Sequence, residues 1–467
     1  MSPREIIHRT PEEHAAAGTE ALAKVPHEAH ATWDPPAERA DPVQILEDQA
    51  TTRVPELLPI RYGRMVASPF AFYRGGAAIM AADLVGLPKS GLRAQLCGDA
   101  HLSNFGGFAS PERDLIFDIN DFDETLPGPW EWDVKRLAVS IVIAGRDRGF
   151  KAKESRAAAR AAVEEYREAM TRFAAMRRLD VWYSRLDEST LRQMVLQQGK
   201  GKMLQNFDKT VEKARTKDST RAFAKLTTTD GGEPRIKADP PLIVPIEDLT
   251  DLDPDTLKES LRSILHSYRR SLQGDRRRLL EGFELVHVAR KVVGVGSVGT
   301  RAWVVLMLGR DRDDPLFLQF KESGPSVLAP FAGKSQYDQQ GQRVVEGQRL
   351  MQASSDIFLG WDRVAGIDGM KRDFYVRQLW DWKTSVDVTK MAPGGLRQYG
   401  RLCGWTLARA HARSGDRIAI GAYLGEDDTF DRAVSAFAEA YADQNDRDYQ
   451  AFRQAVEGGR LPAETGV

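Results

Sequence analysis

The chain has 467 residues, 42% of them hydrophobic, and 66 Lys and Arg against 67 Asp and Glu leave a net charge of −1. That length predicts two or three lobes with sizeable cores, and the balanced charge gives no reason to expect affinity for nucleic acid or a membrane surface. Two cysteines, Cys97 and Cys403, are too few for a disulfide framework or a thiolate metal cluster, so a reduced, cytoplasmic setting is expected. "MSPREIIHRT" lacks the apolar core of a signal peptide, and the longest apolar run, 137–145, is too short to span a bilayer.

In chain order, residues 1–60 read as a polar, Pro-dotted lead-in and 61–84 as a helix. "LRAQLC" and "DLIFDI" read as strands around turn residues, with "CGDAHLSNFG" and "FDINDFDET" making an acidic hairpin. From 130 to about 290 the pattern is mostly helical, with Val163, Tyr166, Met170 and Phe173 near a 3.6 period and a polar break at 227–241. Three β-branched runs follow from 285. A helix is expected over about 335–353, a strand over 374–380, and helices over 396–412 and 429–455. These spans suggest a helical lobe at 61–284, a β-rich lobe at 285–382 and closing helices at 383–467, an α+β arrangement.

Between the first two β runs, "GVGSVG" sets Gly294, Gly296 and Gly299 around Ser297. A dinucleotide fold would continue into a helix, but a strand follows, which favours a glycine-rich hairpin able to cover phosphates with backbone N–H groups. On the third run, alternation puts Lys321 on a largely apolar strand, where an ammonium needs a partner. Glu346, the carboxylate in the central turns of the next helix, is the expected one. Asp99 and Asn104 are five residues apart, the spacing of a catalytic base and a metal-binding amide in kinases. Asp118, Asp121 and Asp123 offer further hard oxygen ligands for Mg²⁺.

"GDAHLSN" resembles the catalytic loop of the aminoglycoside phosphotransferase and choline kinase branch of the protein-kinase-like superfamily, and "INDFDE" resembles that branch's metal motif. The resemblance implies that Asp99 is the catalytic base and that His101 stabilises the loop. Asn104 and Asp121 would bind metal, with Asp123 as a second carboxylate, and Asp133 would be the structural Asp of the following helix. "FYVRQLW" is similar to the strand leading to the hinge, which implies nucleotide contacts at Gln378 and Leu379. Arg301 stands where kinases usually place Val. "SPFAFYRG", "GDAHLSNFG", "NDFDET" and "WDVKRLA" also resemble the bacterial family called domain of unknown function 2252.

Glycine loop, Lys and Glu follow the catalytic loop here, whereas in kinases they precede it, so the resemblance implies a circularly permuted, two-lobed kinase-like fold. The expected cofactors are ATP and Mg²⁺, and the expected reaction is phosphoryl transfer to a hydroxyl, probed first among small molecules. AMP transfer and non-catalytic nucleotide sensing use the same residues and stay open. A metallophosphoesterase needs several His ligands, and half of the eight His lie in the first thirty residues. Tyr73, Arg74, His411 and the tryptophans read as packing or surface-pairing residues.

Overall fold

In the computed structural model, which describes residues 8–197, 201–366, 368–379 and 381–467, the lead-in expected to be irregular contains two capped helices. Thr10 and Glu13 form a reciprocal capping box on α1 (Pro11–Lys24), and the Asp41 carboxylate accepts from the Val43 N–H on α2 (Pro42–Ala50). Each starts on a Pro, whose missing N–H costs nothing in a first turn. The helix expected over 61–84 is three helices, α3 (Leu58–Met65), α4 (Pro69–Gly75) and α5 (Ala77–Leu84). Ser68 caps α4, Pro69 cannot continue α3, and Gly76 separates α4 from α5.

Next come β1 (Arg93–Leu96), β2 (Phe105–Ala109), β3 (Leu115–Ile119) and β4 (Leu126–Pro129). The two apolar runs around the acidic motifs are strands but not partners: β1 pairs with β4, and these enclose an antiparallel β2–β3 hairpin. β2, "FGGFA", escapes a propensity reading because glycine weakens strands. Its glycines admit a close neighbour, since a Cβ on Gly106 would lie 2.3 Å from the Thr384 carbonyl oxygen.

The helical stretch holds α6 (Glu131–Asp147), α7 (Ala152–Ala175), α8 (Arg178–Tyr183), β5 (Leu186–Asp187), α9 (Glu188–Gln197), α10 (Gly201–Arg215) and α11 (Ser219–Leu226). The polar break is a short hairpin, β6 (Thr227–Asp230) and β7 (Glu233–Ile236), followed by β8 (Ile243–Pro245), α12 (Pro254–Tyr268) and α13 (Gly274–Leu280). The three β runs are β9 (Glu284–Lys291), β10 (Ala302–Leu308) and β11 (Pro315–Glu322). After α14 (Ala329–Ala332) and α15 (Gln340–Met351) come β12 (Gly360–Ala365) and β13 (Lys371–Gln378). Trp380, the end of the expected strand, lies outside the described residues. The chain closes with β14 (Thr384–Ser385), α16 (Pro393–Ser414), α17 (Arg417–Leu424) and α18 (Thr429–Glu457).

One antiparallel sheet runs β12-β13-β11-β10-β9-β8. Alternation on β11 sends Leu316, Leu318 and Phe320 to the face covered by Leu257 of α12, and Phe317 to the face covered by Ala222 and Leu226 of α11. The largest core gathers α6, α7, α16 and α18, where Trp130 stacks on Tyr166 with ring centroids 5.5 Å apart. No helix among the described residues is long and apolar enough to cross a membrane.

Beyond α1, His30 is fully buried beside α17. The Tyr423 hydroxyl donates to the Val25 carbonyl (2.9 Å) and so accepts from His30 Nε2 (2.7 Å), while Nδ1 has no partner. Burial, then the charges of Lys135 and His27, hold this imidazole down at about 3. Between that value and the unfolded pKa near 6.5 the unfolded chain carries the extra proton, so stability is complete above about pH 6.5 and is lost as pH falls. Urea unfolding at pH 7 and pH 5 should show wild type losing about 2 kcal/mol more than His30→Phe. Equal losses would mean that His30 is not the acid-labile group.

Candidate functional site

Asp99 is presented by a loop that α6 holds from below. Gly98 has φ +84°, and a Cβ there would lie 2.3 Å from the Glu124 carbonyl oxygen, so only glycine fits. Asp133, in the first turn of α6, accepts from the N–H groups of Cys97 (2.8 Å) and Gly98 (3.0 Å). His411 Nε2 stands 3.4 Å from the same carboxylate, a buried packing role as expected. One helical turn on, Arg136 donates from Nε to Asp99 Oδ1 (2.9 Å) and from Nη2 to the Tyr73 carbonyl (2.7 Å). Burial lifts the Asp99 carboxyl, Arg136 draws it back, and the balance leaves it above the ordinary range. His101 Nδ1 accepts from the Ser103 N–H (3.2 Å), which puts the ring proton on Nε2, 3.6 Å from Asp99 Oδ2. Burial, then Arg74 and Arg136, push His101 well below its usual value, so it orients the loop as a neutral ring.

The second motif is tied to the first through backbone: the Asn120 N–H donates to the Asn104 carbonyl (2.8 Å). Asn104 spends its amide N–H on the Asp99 carbonyl (2.8 Å), leaving its side-chain oxygen for ligands. Asp118 is committed elsewhere. Both its oxygens accept from Arg409 Nη2 at 2.6 Å, and Oδ2 also takes the Ala353 N–H (2.8 Å). Asp121 and Asp123 face Lys321, whose ammonium bonds Asp123 and stands 3.9 Å from Asp121. Burial favours a neutral Asp121, but Lys321 and Arg377 outweigh it and hold the carboxyl below its ordinary range. Lys321 is 2% exposed, and although burial opposes its charge, the two aspartates keep it protonated.

The expected Lys321–Glu346 pair does not form. Helix α15 turns Arg343 and Gly347 towards the acidic turn: Arg343 donates to the carbonyls of Asp123 (2.8 Å) and Thr125 (2.7 Å), and Gly347 sits against the Thr125 side chain. Glu346 lies roughly 100° around the helix from Gly347 and bonds Arg349 instead (3.2 Å). The lysine's carboxylate therefore comes from the acidic turn.

The β9–β10 loop is a glycine-rich hairpin, as expected, with positive φ at Gly294 and Gly299. Ser297 Oγ reaches Asp123 Oδ2 (3.4 Å). Gly294, Gly296 and Ser297 line the same cavity as Asp99, His101, Asn104, Asp121 and Asp123, while Gly299 packs on Arg53. Gln378 and Leu379 do not line it; they border a separate pocket with Asp356 and Lys383. Their N–H groups are spent on Asp356 and on the Phe317 carbonyl (2.9 Å). Two arginines of the cavity lie outside the motifs: Arg74, expected as a packing or surface-pairing residue, and Arg53. Nothing local marks either; the folding of α2, α3 and α4 against the loop brings them in.

Among the described residues no group of three or more His, Cys, Asp and Glu side chains is gathered for a metal. The donor set is instead two aspartates plus the Asn104 oxygen, and Asp123 Oδ1 is buried without a hydrogen-bond partner. That set fits Mg²⁺, which takes one or two carboxylates and completes its shell with water and phosphate oxygens.

The chain is thus an α+β protein with an acidic cavity roofed by a glycine loop. A family model described as an uncharacterised protein conserved in bacteria (DUF2252) matches residues 53–455, and the chain belongs to that family. No curated protein and no solved structure matches it.

The two carboxylates should separate in unfolding measurements. Asp118→Asn strands the buried Arg409 charge and should cost about 3–5 kcal/mol in urea unfolding. Asp121→Asn, at the edge of the cavity, should stay within about 1 kcal/mol of wild type. Comparable losses from both would remove the distinction between a structural and a ligand-facing carboxylate.

Proposed function

We propose that this chain is an ATP- and Mg²⁺-dependent phosphotransferase of circularly permuted kinase-like fold, acting on a hydroxyl acceptor. One observation carries the reading: Asp99, Asn104, Asp121 and Asp123 meet the glycine loop at one cavity, and Lys321 bonds Asp123 from behind it although the two are 198 residues apart in sequence. The end of α16 adds support. Ser414 Oγ accepts from the Gln95 N–H of β1 (3.2 Å), so the C-terminal end of α16 lies beside the strand that leads to Asp99, the junction at which a permuted kinase-like chain would be cut.

In this reading Asp99 takes the proton of the acceptor hydroxyl, held in place by Arg136 and by the loop that Asp133 anchors. Lys321 and the loop N–H groups grip phosphates. Asn104, Asp121 and Asp123 would hold Mg²⁺, whose charge offsets that developing on the phosphates. AMP transfer is the second reading, favoured by the spent N–H groups of Gln378 and Leu379, which leave the orientation of a base unfixed by the hinge.

Mg·ATP at a hundredfold excess over its Kd should stabilise the protein by about 2.7 kcal/mol, read as a rise in thermal midpoint. Lys321→Ala and removal of Mg²⁺ by EDTA should each reduce that rise. Asp99→Asn should keep it while abolishing transfer to acceptors in a cell extract, followed by mass spectrometry, where phosphate and AMP additions differ in mass. No rise with millimolar Mg·ATP would sink the reading, and full transfer by Asp99→Asn would remove that residue from the mechanism.

A further inference from the structure

Among the described residues, most buried or nearly buried arginines are paired. Arg39, Arg136, Arg167 and Arg409 each meet a carboxylate at 2.6–2.9 Å, and Arg343 meets three carbonyls. Three arginines from the N-terminal helices behave differently. Arg74, at the end of α4, lines the cavity, has a buried Nε without a partner, and makes no ion pair among the described residues. Arg53, between α2 and α3, lines the same cavity, and among the described residues its side chain donates only to the Val298 carbonyl (2.5 Å). Arg61 on α3 is 1% exposed, with Nε and Nη1 unpaired. Its Nη2 meets Gln49 Oε1 (3.2 Å) and the Gly75 carbonyl (3.3 Å), two residues that themselves border the cavity.

Holding one buried and two half-buried guanidinium groups around one cavity with few acceptors is costly, and the planar fork of Arg matches an oxyanion. If these cations served only to neutralise the aspartates, ion pairs like those of Arg136 and Lys321 would be present. We infer that Arg53 and Arg74, backed by Arg61, seat an oxyanion of the acceptor, a phosphate monoester or a carboxylate, and so present its hydroxyl to Asp99. The inference rests on the proposed function and names its substrate class. Lys321 serves the nucleotide; the arginines, from a different part of the chain, serve the acceptor.

The test uses the full chain without nucleotide and three three-carbon probes: glycerol 3-phosphate, glycerate and glycerol. At millimolar concentration at least one anion should raise the thermal midpoint, and glycerol should not; the better of the two tells phosphate from carboxylate. Arg53→Gln and Arg74→Gln should each weaken anion binding by at least about tenfold. Both arginine variants should retain Mg·ATP binding. If either glutamine variant fails to fold, Arg74→Lys keeps the charge without the fork and should weaken the anion several-fold with Mg·ATP unaffected. The inference is overturned if neither anion binds, if binding survives in both arginine variants, or if Mg·ATP affinity falls along with it, which would assign the cations to the nucleotide. Failure of wild type to bind Mg·ATP at all would count against the phosphotransferase reading and is read in a separate arm.

Discussion

The buried ion pair between Asp118 and Arg409 is the constraint on which the site depends. Both side chains are 1% exposed, so neither charge can be left alone without a large penalty. Arg409 belongs to α16, Asp118 to β3, and the Ala353 N–H that shares the carboxylate follows α15. Three segments distant in sequence are therefore fixed at one point. Asn120 and Asp121 leave β3 immediately afterwards, so the position of the acidic turn is set by a contact that lies outside the cavity.

A second carboxylate, Asp133, does for the first motif what Asp118 does for the second. It takes two successive N–H groups and fixes the peptide before Asp99, while Arg136, three residues later on the same helix, fixes the side chain. Helix α6 thus orients a backbone and a carboxylate through residues on one face. Around the cavity, Arg136 and Lys321 are ion-paired with aspartates, whereas Arg53 and Arg74 feel the carboxylates of the cavity without forming an ion pair among the described residues.

Much of this was legible in the sequence because the chemistry sits in short motifs. Asp99, Asn104 and Asp121 are recognisable by residue type and spacing, and the three β runs before α15 follow from their apolar, β-branched composition. What the sequence hides is phase and long-range contact. Glu346 and Gly347 are neighbours in the chain, yet the helix turns only Gly347 to the acidic turn. β2 carries two glycines that argue against a strand, and they are there because Thr384 lies against them. Arg53, Arg61 and Arg74 are unremarkable in isolation; the packing of α3, α4 and the segment before α3 brings them together.

The bond between Lys321 and Asp123 makes ligand binding at this cavity an exchange of partners. A polyphosphate reaching the ammonium competes with a carboxylate, and a divalent ion on the unpaired Oδ1 of that carboxylate competes with the ammonium for its charge; either alone weakens an ion pair in a place where charge is poorly solvated. Arriving together, on the proposed function, each ligand takes the partner that the other releases. Metal and anion would then be thermodynamically coupled, each tightening the other by the same factor, and the internal ion pair would act as a threshold against either one bound singly.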